Sequence, residues 1–193
     1  VVVVVCPAAG GGPPRARAPT QTATTGGTPA PTPAPADKQV LRWPTELAAD
    51  FSTMDPALSQ DTSSDFAIKP VFVGLIGFDN KGNVIDQMGT HQVSNDGMTY
   101  TFNINPNAKF SDGTAVTADD VAFSINRTML PATKSAVASY MSLLKDYDKV
   151  TTGKISTVIG DSVVVVDPHT IKLIISKPAA YFLSTMTYDC WYT

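Results

Sequence analysis

The sequence predicts a mixed α/β (α+β) fold, built from short antiparallel hairpins packed with a few helices. Tyr100, Phe102 and Ile104 alternate with polar residues, which is the pattern of a half-buried strand. Turn signals separate such strands, and residues 118–129 carry apolar side chains at helical spacing. The 193 residues, 43% of them hydrophobic, suffice for one modest globular domain.

Charge and cysteine content argue against a nucleic-acid-binding protein and against a fold held by disulfides. The net charge is −3 and no basic stripe is present, so the sequence argues against a nucleic-acid partner. Cys6 and Cys190 lie near opposite ends of the chain and do not form a disulfide framework. His91 and His169 are isolated in sequence. We therefore expect no metal site and no cofactor.

The N-terminal part divides into two short segments before a folded region over residues 38–193. Residues 1–6 are five valines followed by Cys6, too short to span a bilayer, which needs about 20 apolar residues. They resemble the remnant of a lipoprotein signal peptide, with Cys6 as the lipid-bearing residue, although Val5 replaces the usual small residue; a translated artefact is the alternative. Residues 7–37, rich in Pro, Gly and Thr, predict a disordered linker.

The first half of the folded region alternates short elements with turns. The predicted elements are a strand over 39–43, a turn at Asp55-Pro56, a helix in the first part of 63–73 that breaks at Pro70, a strand over 74–78, a turn over 79–82 and a strand over 83–86.

The second half contains the stronger local signals. Thr117 precedes Asp119 and Asp120, a capping residue followed by first-turn acids. The predicted elements are a hairpin of 92–94 and 98–104 around Asn95-Asp96-Gly97, a turn over 111–113, a helix over 118–129 stopped by Pro131, a helix over 135–144, a hairpin of 163–166 and 171–175, and a helix over 178–186.

No group of residues has the pattern of an active site, so we predict that the protein is not an enzyme. Asp119 and Asp120 fit a helix start better than a catalytic pair. Asp146 and Asp148 flank Tyr147 in what we interpret as a solvated loop. No serine lies in a G-x-S-x-G sequence. Near the end of the chain the sequence is rich in aromatic residues, and core packing explains Tyr181 and Phe182 at least as well as a binding surface does.

Several ordered motifs resemble one family of transport proteins. They are V-F-V-G-L over 71–75, G-F-D over 77–79, V-S-N-D-G-M-T-Y-T-F over 93–102, F-S-D-G-T-A-V-T-A-D-D-V-A-F-S over 110–124, V-D-P-H-T over 166–170 and S-K-P-A-A-Y-F-L over 176–183. In this order they resemble extracytoplasmic solute-binding protein family 5, the oligopeptide, dipeptide and nickel receptors of ABC importers. The resemblance extends over residues 41–193.

The resemblance implies a periplasmic-binding-protein-like fold of type II. This chain is then an N-terminal fragment that holds part of the first lobe and the extra peptide-family subdomain, without the second lobe. The implied function is that of a monomeric substrate-binding lipoprotein, anchored extracytoplasmically on the cell surface or in the periplasm. It would capture peptides between two lobes and deliver them to an ABC permease.

The resemblance transfers few site residues. Glu46 follows the first strand, in a loop that faces the ligand cleft in such proteins, so it is a candidate ligand contact. Trp191, near the end of the chain, approaches the cleft and is a second candidate, although core packing is the favoured interpretation of this residue. Other hypotheses stay open: a receptor for a nickel chelate or oligosaccharide, a receptor that signals or adheres, and a tethered secreted enzyme domain. The fragment alone is expected to bind ligand poorly.

Overall fold

The computed structural model describes Pro35 and residues 50–193. The helices are α1 (Thr62–Ile68), α2 (Ala118–Met129), α3 (Tyr147–Thr151) and α4 (Phe182–Thr185), with short 3-10 helices at Pro131–Thr133, Ala138–Met141 and Asp189–Trp191; the strands are β1 (Ile76–Phe78), β2 (Val84–Asp86), β3 (Gly89–Val93), β4 (Thr99–Ile104), β5 (Val163–Asp167) and β6 (Thr170–Ile174). The predicted strand over 39–43 and the proposed segment boundaries lie outside the described residues. Within residues 50–193, no helix has the length and apolarity needed to cross a bilayer.

Four strands form an antiparallel sheet in the order β3-β4-β6-β5, and β1 pairs separately with β2. Phe102 of β4 pairs with Ile171 of β6, and Tyr100 pairs with Leu173, so their side chains share one face. All four are buried, whereas the opposite face carries Thr, Asn and Lys side chains. An antiparallel sheet of this kind packs one face on the core and leaves the other to solvent.

Helix α2 covers the apolar face of the sheet. Its residues Val121, Ala122, Ile125 and Met129 are at most 1% exposed, and they recur at the three- and four-residue spacing of one helix face. These side chains join the sheet residues in a single apolar cluster. The helix spans the predicted residues 118–129, so this prediction is confirmed.

Hydrogen bonds define the first residue of α2, and a proline lies shortly after its last. The Asp120 carboxylate accepts hydrogen bonds from the Thr117 N–H at 2.8 Å and the Thr117 hydroxyl at 2.7 Å. The Ala118 N–H donates to the Pro168 carbonyl at 2.8 Å, in the turn between β5 and β6. At the other end the backbone becomes extended just before Pro131, which cannot continue a helix.

The predicted hairpins are confirmed. Between β3 and β4, Asp96 accepts from the Ser94 hydroxyl at 2.5 Å and the Met98 N–H at 3.0 Å. Gly97 adopts a φ of 69°, which a residue with a Cβ rarely does. Helix α1 ends at Ile68, ahead of Pro70, also as predicted.

The helix predicted over residues 135–144 is wrong. The chain there forms only the 3-10 helix Ala138–Met141 and turns. Leu144 instead makes an antiparallel bridge with Ile175, and the Lys145 N–H donates to the Ile174 carbonyl at 3.0 Å. Pairing with the end of β6 requires extended backbone at Leu144, and this tertiary demand overrides the local helix propensity.

The helix predicted from Pro178 starts too early. α4 begins at Phe182, because the chain continues extended past β6 to the bridge at Ile175. Pro178 then lies beside the β3–β4 turn, where a Cβ on Gly97 would meet its ring at 3.5 Å. Contact with the neighbouring hairpin therefore delays the helix by one turn.

The prediction that Asp146 and Asp148 lie in a solvated loop is wrong for Asp146. Residues Tyr147–Thr151 form α3, and Asp146 is only 3% exposed. Its carboxylate accepts from the Lys149 ammonium at 2.7 Å and from the Ser162 hydroxyl at 2.7 Å. These two donors, Lys149 first, hold the pKa of Asp146 below its ordinary value, so this buried carboxylate is a structural tie between α3 and the start of β5.

The cap of α2 yields a matched pair of substitutions. Asp120→Ala removes the acceptor of both Thr117 bonds and is expected to cost about 1 kcal/mol of unfolding free energy. Asp119→Ala changes an exposed first-turn acid and is expected to cost about 0.5 kcal/mol or less. Urea denaturation of both variants measures the difference. Equal losses would show that Asp120 acts only through the helix dipole.

Gly89 is a second point of local constraint. A Cβ there would lie 1.9 Å from the Asn103 carbonyl oxygen, a contact that the β3–β4 pairing cannot accommodate. Gly89→Ala is therefore expected to cost about 2 kcal/mol or more. Gly82→Asn is the control, since Gly82 has a φ of 80° with no atom within 4 Å and Asn tolerates that region. A Gly89→Ala protein as stable as this control would contradict the prediction.

Candidate functional site

A cleft of about 300 Å³ opens beside α2, on the side away from the sheet. It is bounded by the turn after Asp55, by α2, by the residues that follow α1 and by the segment that includes Asp189–Trp191. Its lining residues are Pro56, Ala57, Phe72, Phe123, Ser124, Arg127, Thr128, Cys190, Tyr192 and Thr193.

The second face of α2 forms one wall. Phe123, Ser124, Arg127 and Thr128 repeat at the spacing of one helix face, and none of them belongs to the set that packs on the sheet. Phe123 is 62% exposed, which is unusual for a phenylalanine. One face of the helix therefore packs on the core, and the other carries the Phe123 ring and the Arg127 guanidinium into the cleft lining.

A bidentate ion pair joins Arg127, which lines the cleft, to Asp55. Arg127 Nη1 donates to Asp55 Oδ1 at 2.9 Å, and Nη2 donates to Asp55 Oδ2. Asp55 Oδ1 also accepts from the Ala57 N–H at 3.0 Å, which shapes the turn that carries Ala57 into the cleft. Hydrogen bonding to Arg127 is the main cause that lowers the pKa of Asp55.

The segment 189–193 forms the opposite wall. The Thr128 hydroxyl donates to the Cys190 carbonyl at 3.2 Å, and the Thr193 N–H donates to the Val73 carbonyl at 3.2 Å. The Tyr192 ring lies against Gly74, where a Cβ would be 2.8 Å from ring carbons. The glycine of the V-F-V-G-L motif thus makes room for an aromatic wall residue.

The polar groups of the cleft are mostly engaged within the fold. The Tyr192 hydroxyl donates to the Thr187 carbonyl at 3.2 Å, and burial raises the pKa of Tyr192 to about 12. Burial also raises the pKa of the Cys190 thiol to about 12, which favours the protonated thiol over the thiolate. Neither His91 nor His169 lines the cleft. The geometry suits apolar contact rather than acid–base chemistry.

Of the predicted site residues, the structure describes Trp191 only. Trp191 is 2% exposed, packs edge-on against Phe182 with ring centroids 5.8 Å apart and does not line this cleft, and its contact with a ligand stays a prediction. Glu46 and Cys6 lie outside the described residues. Phe182 is fully buried, which agrees with core packing, whereas Tyr181 is 58% exposed and does not belong to the core.

The sequence patterns do not indicate the ion pair between Asp55 and Arg127 or the exposed Phe123 in the cleft lining. Asp55 was assigned to a turn, and Arg127 and Phe123 lie on the polar side of a helix that was recognised by its apolar side. The one available signal is that a large aromatic side chain stands four residues from an arginine on that polar side.

The ion pair gives a prediction about pH. Arg127→Met is expected to cost about 1 kcal/mol at neutral pH, since both partners are partly exposed. Because the folded-state pKa of Asp55 is lowered, this contribution is present above its unfolded pKa and is lost as pH falls through the folded value. Urea unfolding should therefore show the gap from wild type narrowing in acid. Lys154→Met, at an exposed lysine, is the control, and an equally large gap there would refute the assignment.

Comparison with known proteins places this fold in a family. The model of the bacterial extracellular solute-binding proteins, family 5 Middle, matches residues 81–189. The periplasmic murein peptide-binding protein MppA of Escherichia coli is 33% identical over 135 residues, which are 69% of this chain and 25% of that protein. The periplasmic oligopeptide-binding protein OppA of Salmonella typhimurium is 30% identical, over 79% of this chain and 28% of that protein.

Solved structures agree. The substrate-binding domain of an oligopeptide ABC transporter from Bacillus anthracis superposes with a TM-score of 0.71 at 28% identity, covering 74% of this chain and 28% of that one. The unliganded open form of MppA gives 0.70 at 28% identity, over 76% and 28% of the two chains. The chain thus spans about a quarter of these relatives. The predicted periplasmic-binding-protein-like fold is confirmed, and the chain belongs to the bacterial extracellular solute-binding proteins of family 5.

Proposed function

We propose that these residues are part of an extracytoplasmic receptor that captures peptides and delivers them to an ABC permease. The observation that carries the proposal is the family match over residues 81–189. Relatives named for murein peptide and oligopeptide binding, at 33% and 30% identity, favour peptides as the ligand class. The receptor acts as a monomer and is held at the membrane by a lipid on Cys6.

Ligand capture between two lobes depends on closure around the ligand. The closed form is populated because the ligand contacts both lobes there and only one in the open form. An extended peptide is held mainly through its main chain, and its side chains enter hydrated pockets. Such a receptor accepts many sequences because the peptide backbone is common to all of them.

The cleft beside α2 is suited to a supporting role in this function. Arg127 is committed to Asp55, and the hydroxyls of Thr128 and Tyr192 donate to carbonyls of the fold. A peptide terminus needs a free charged partner, and these groups are already bonded. We infer that the charged anchors for peptide termini lie outside the described residues, and Glu46 remains our proposed ligand contact there.

Trp191 remains a proposed ligand contact. It is buried on Phe182, while the adjacent Cys190 and Tyr192 line the cleft.

A second candidate is a receptor of the same fold for another small solute. Glutathione-binding proteins GsiB of Pectobacterium atrosepticum and Escherichia coli are 27% identical over 143 residues, which supports this alternative. A nickel chelate or an oligosaccharide would also fit the fold. A tethered enzyme domain is less well supported, because the family and these relatives are named as binding proteins.

Native mass spectrometry of the full-length protein, purified without added ligand, tests the peptide class. We expect a ladder of short-peptide masses that disappears when the same sample is denatured and refolded before measurement. A single non-peptide mass would keep the fold and overturn the substrate. If the protein is empty, a thermal-shift screen decides: stabilisation by a peptide library supports the proposal, and no stabilisation by any peptide contradicts it.

A further inference from the structure

Two tyrosines from distant parts of the chain form a stack at the protein surface. The rings of Tyr140 and Tyr188 are nearly parallel, with their centroids 3.7 Å apart and an interplanar angle of 21°. Tyr188 is nevertheless 46% exposed, whereas the nearby Trp191 is 2% exposed. Because one face of the Tyr188 ring lies on Tyr140, the fold uses one side of this ring and leaves its outer side to solvent.

The backbone that carries each ring is anchored in the core. Tyr140 lies in the 3-10 helix Ala138–Met141, which buries Met141 completely, and its own side chain packs against the core cluster. Tyr188 directly precedes the 3-10 helix Asp189–Trp191, and its carbonyl accepts from the Trp191 N–H at 3.1 Å. Both rings are therefore held in place by the fold itself. A surface that is already ordered loses little conformational entropy when it binds.

A stacked and partly exposed pair of tyrosines is suited to contact with a further ring. Aromatic rings attract one another in offset-stacked or edge-to-face arrangements, beyond the effect of area burial alone. An exposed tyrosine also provides a large, rigid and amphipathic contact area at a low cost in side-chain entropy. Such a contact recognises the shape and the ring of its partner and does not require a charge.

We propose that Tyr140 and Tyr188 form an aromatic subsite, in which an aromatic side chain of the peptide ligand stacks on the outer side of the Tyr188 ring. This inference rests on the proposed function, because it takes the ligand to be a peptide. The main chain is common to all peptides, so hydrogen bonds to it do not distinguish one sequence from another. The stack adds a preference for one class of side chain to a receptor of that kind.

Calorimetric titration of the full-length protein with defined tripeptides tests the subsite. The probes are trialanine and the three peptides in which phenylalanine replaces one of its alanines. We expect wild type to bind one phenylalanine peptide about fivefold more tightly than trialanine, which corresponds to a single aromatic contact. The position of that phenylalanine would show which ligand residue reaches the stack.

Substitutions assign the preference to the two tyrosines. Tyr188→Ala and Tyr140→Ala are expected to lose the preference for phenylalanine, whereas Tyr188→Phe keeps the ring and should retain it. Tyr181→Ala is the matched control, since Tyr181 is 58% exposed and takes no part in the stack. Thermal unfolding shows whether each variant is folded, and Tyr188→Leu, which lacks the ring but retains apolar volume, replaces an unfolded alanine variant. An unchanged preference in folded Tyr188→Ala or Tyr188→Leu would overturn the proposal.

The outcomes for wild type separate the subsite from the proposed function. If wild type binds trialanine and all three phenylalanine peptides equally, the peptide receptor stands and the aromatic subsite is refuted. If wild type binds neither these tripeptides nor the peptide library, both proposals fail. Binding of maltotriose in place of peptides, with its loss in Tyr188→Ala, would keep the stack as a binding surface and overturn an aromatic side chain as its occupant.

Discussion

The packing of α2 on the sheet is the interaction on which the rest of the described structure depends. One face of the helix buries Val121, Ile125 and Met129 against β5 and β6, and burial of such side chains is the main source of stability in a small domain. The Ala118 N–H bond to the Pro168 carbonyl ties the helix start to the β5–β6 turn, so the hairpin and the helix fix each other's position. The opposite face of the same helix forms a wall of the cleft, because one face of the helix is buried against the sheet and the other points away from it.

The family motifs coincide with turns whose hydrogen bonds are completed locally. Asp96 accepts from Ser94 and Met98, Asp112 accepts the Thr114 N–H at 2.8 Å, and Asp167 accepts the His169 N–H at 2.8 Å. Each of these acids has its pKa lowered by the hydrogen bonds that it accepts. An acid that is used to build a turn is not available to a ligand. This explains why the motifs identify the family so clearly and yet carry little information about what is bound.

Elements that depend on local interactions could be predicted from the sequence, whereas elements that depend on distant interactions could not. The cap of α2 joins Thr117 to Asp120, three residues away, and its prediction was correct. The predicted helix over 135–144 failed because Leu144 pairs with Ile175. The buried position of Asp146 also involves a distant partner, since Ser162 lies 16 residues further along the chain. The Asp55–Arg127 pair spans 72 residues, and no single-sequence signal links two positions so far apart. The family resemblance predicted the fold because it contains such long-range information implicitly.

The polar groups of the cleft have hydrogen-bond partners within the fold, whereas a few buried polar atoms elsewhere do not. Arg127, Thr128 and Tyr192 in the cleft have partners within the fold, so the cleft is complete as a structural element. Three of the four buried side-chain atoms that lack a partner among the described residues belong to Asp189 and Trp191, at the two ends of one short 3-10 helix. Burial of polar groups without partners is costly, so it persists where something else compensates. The Asp189 carboxylate can only accept and the Trp191 indole N–H can only donate, so the two ends of this helix lack partners of opposite kinds among the described residues.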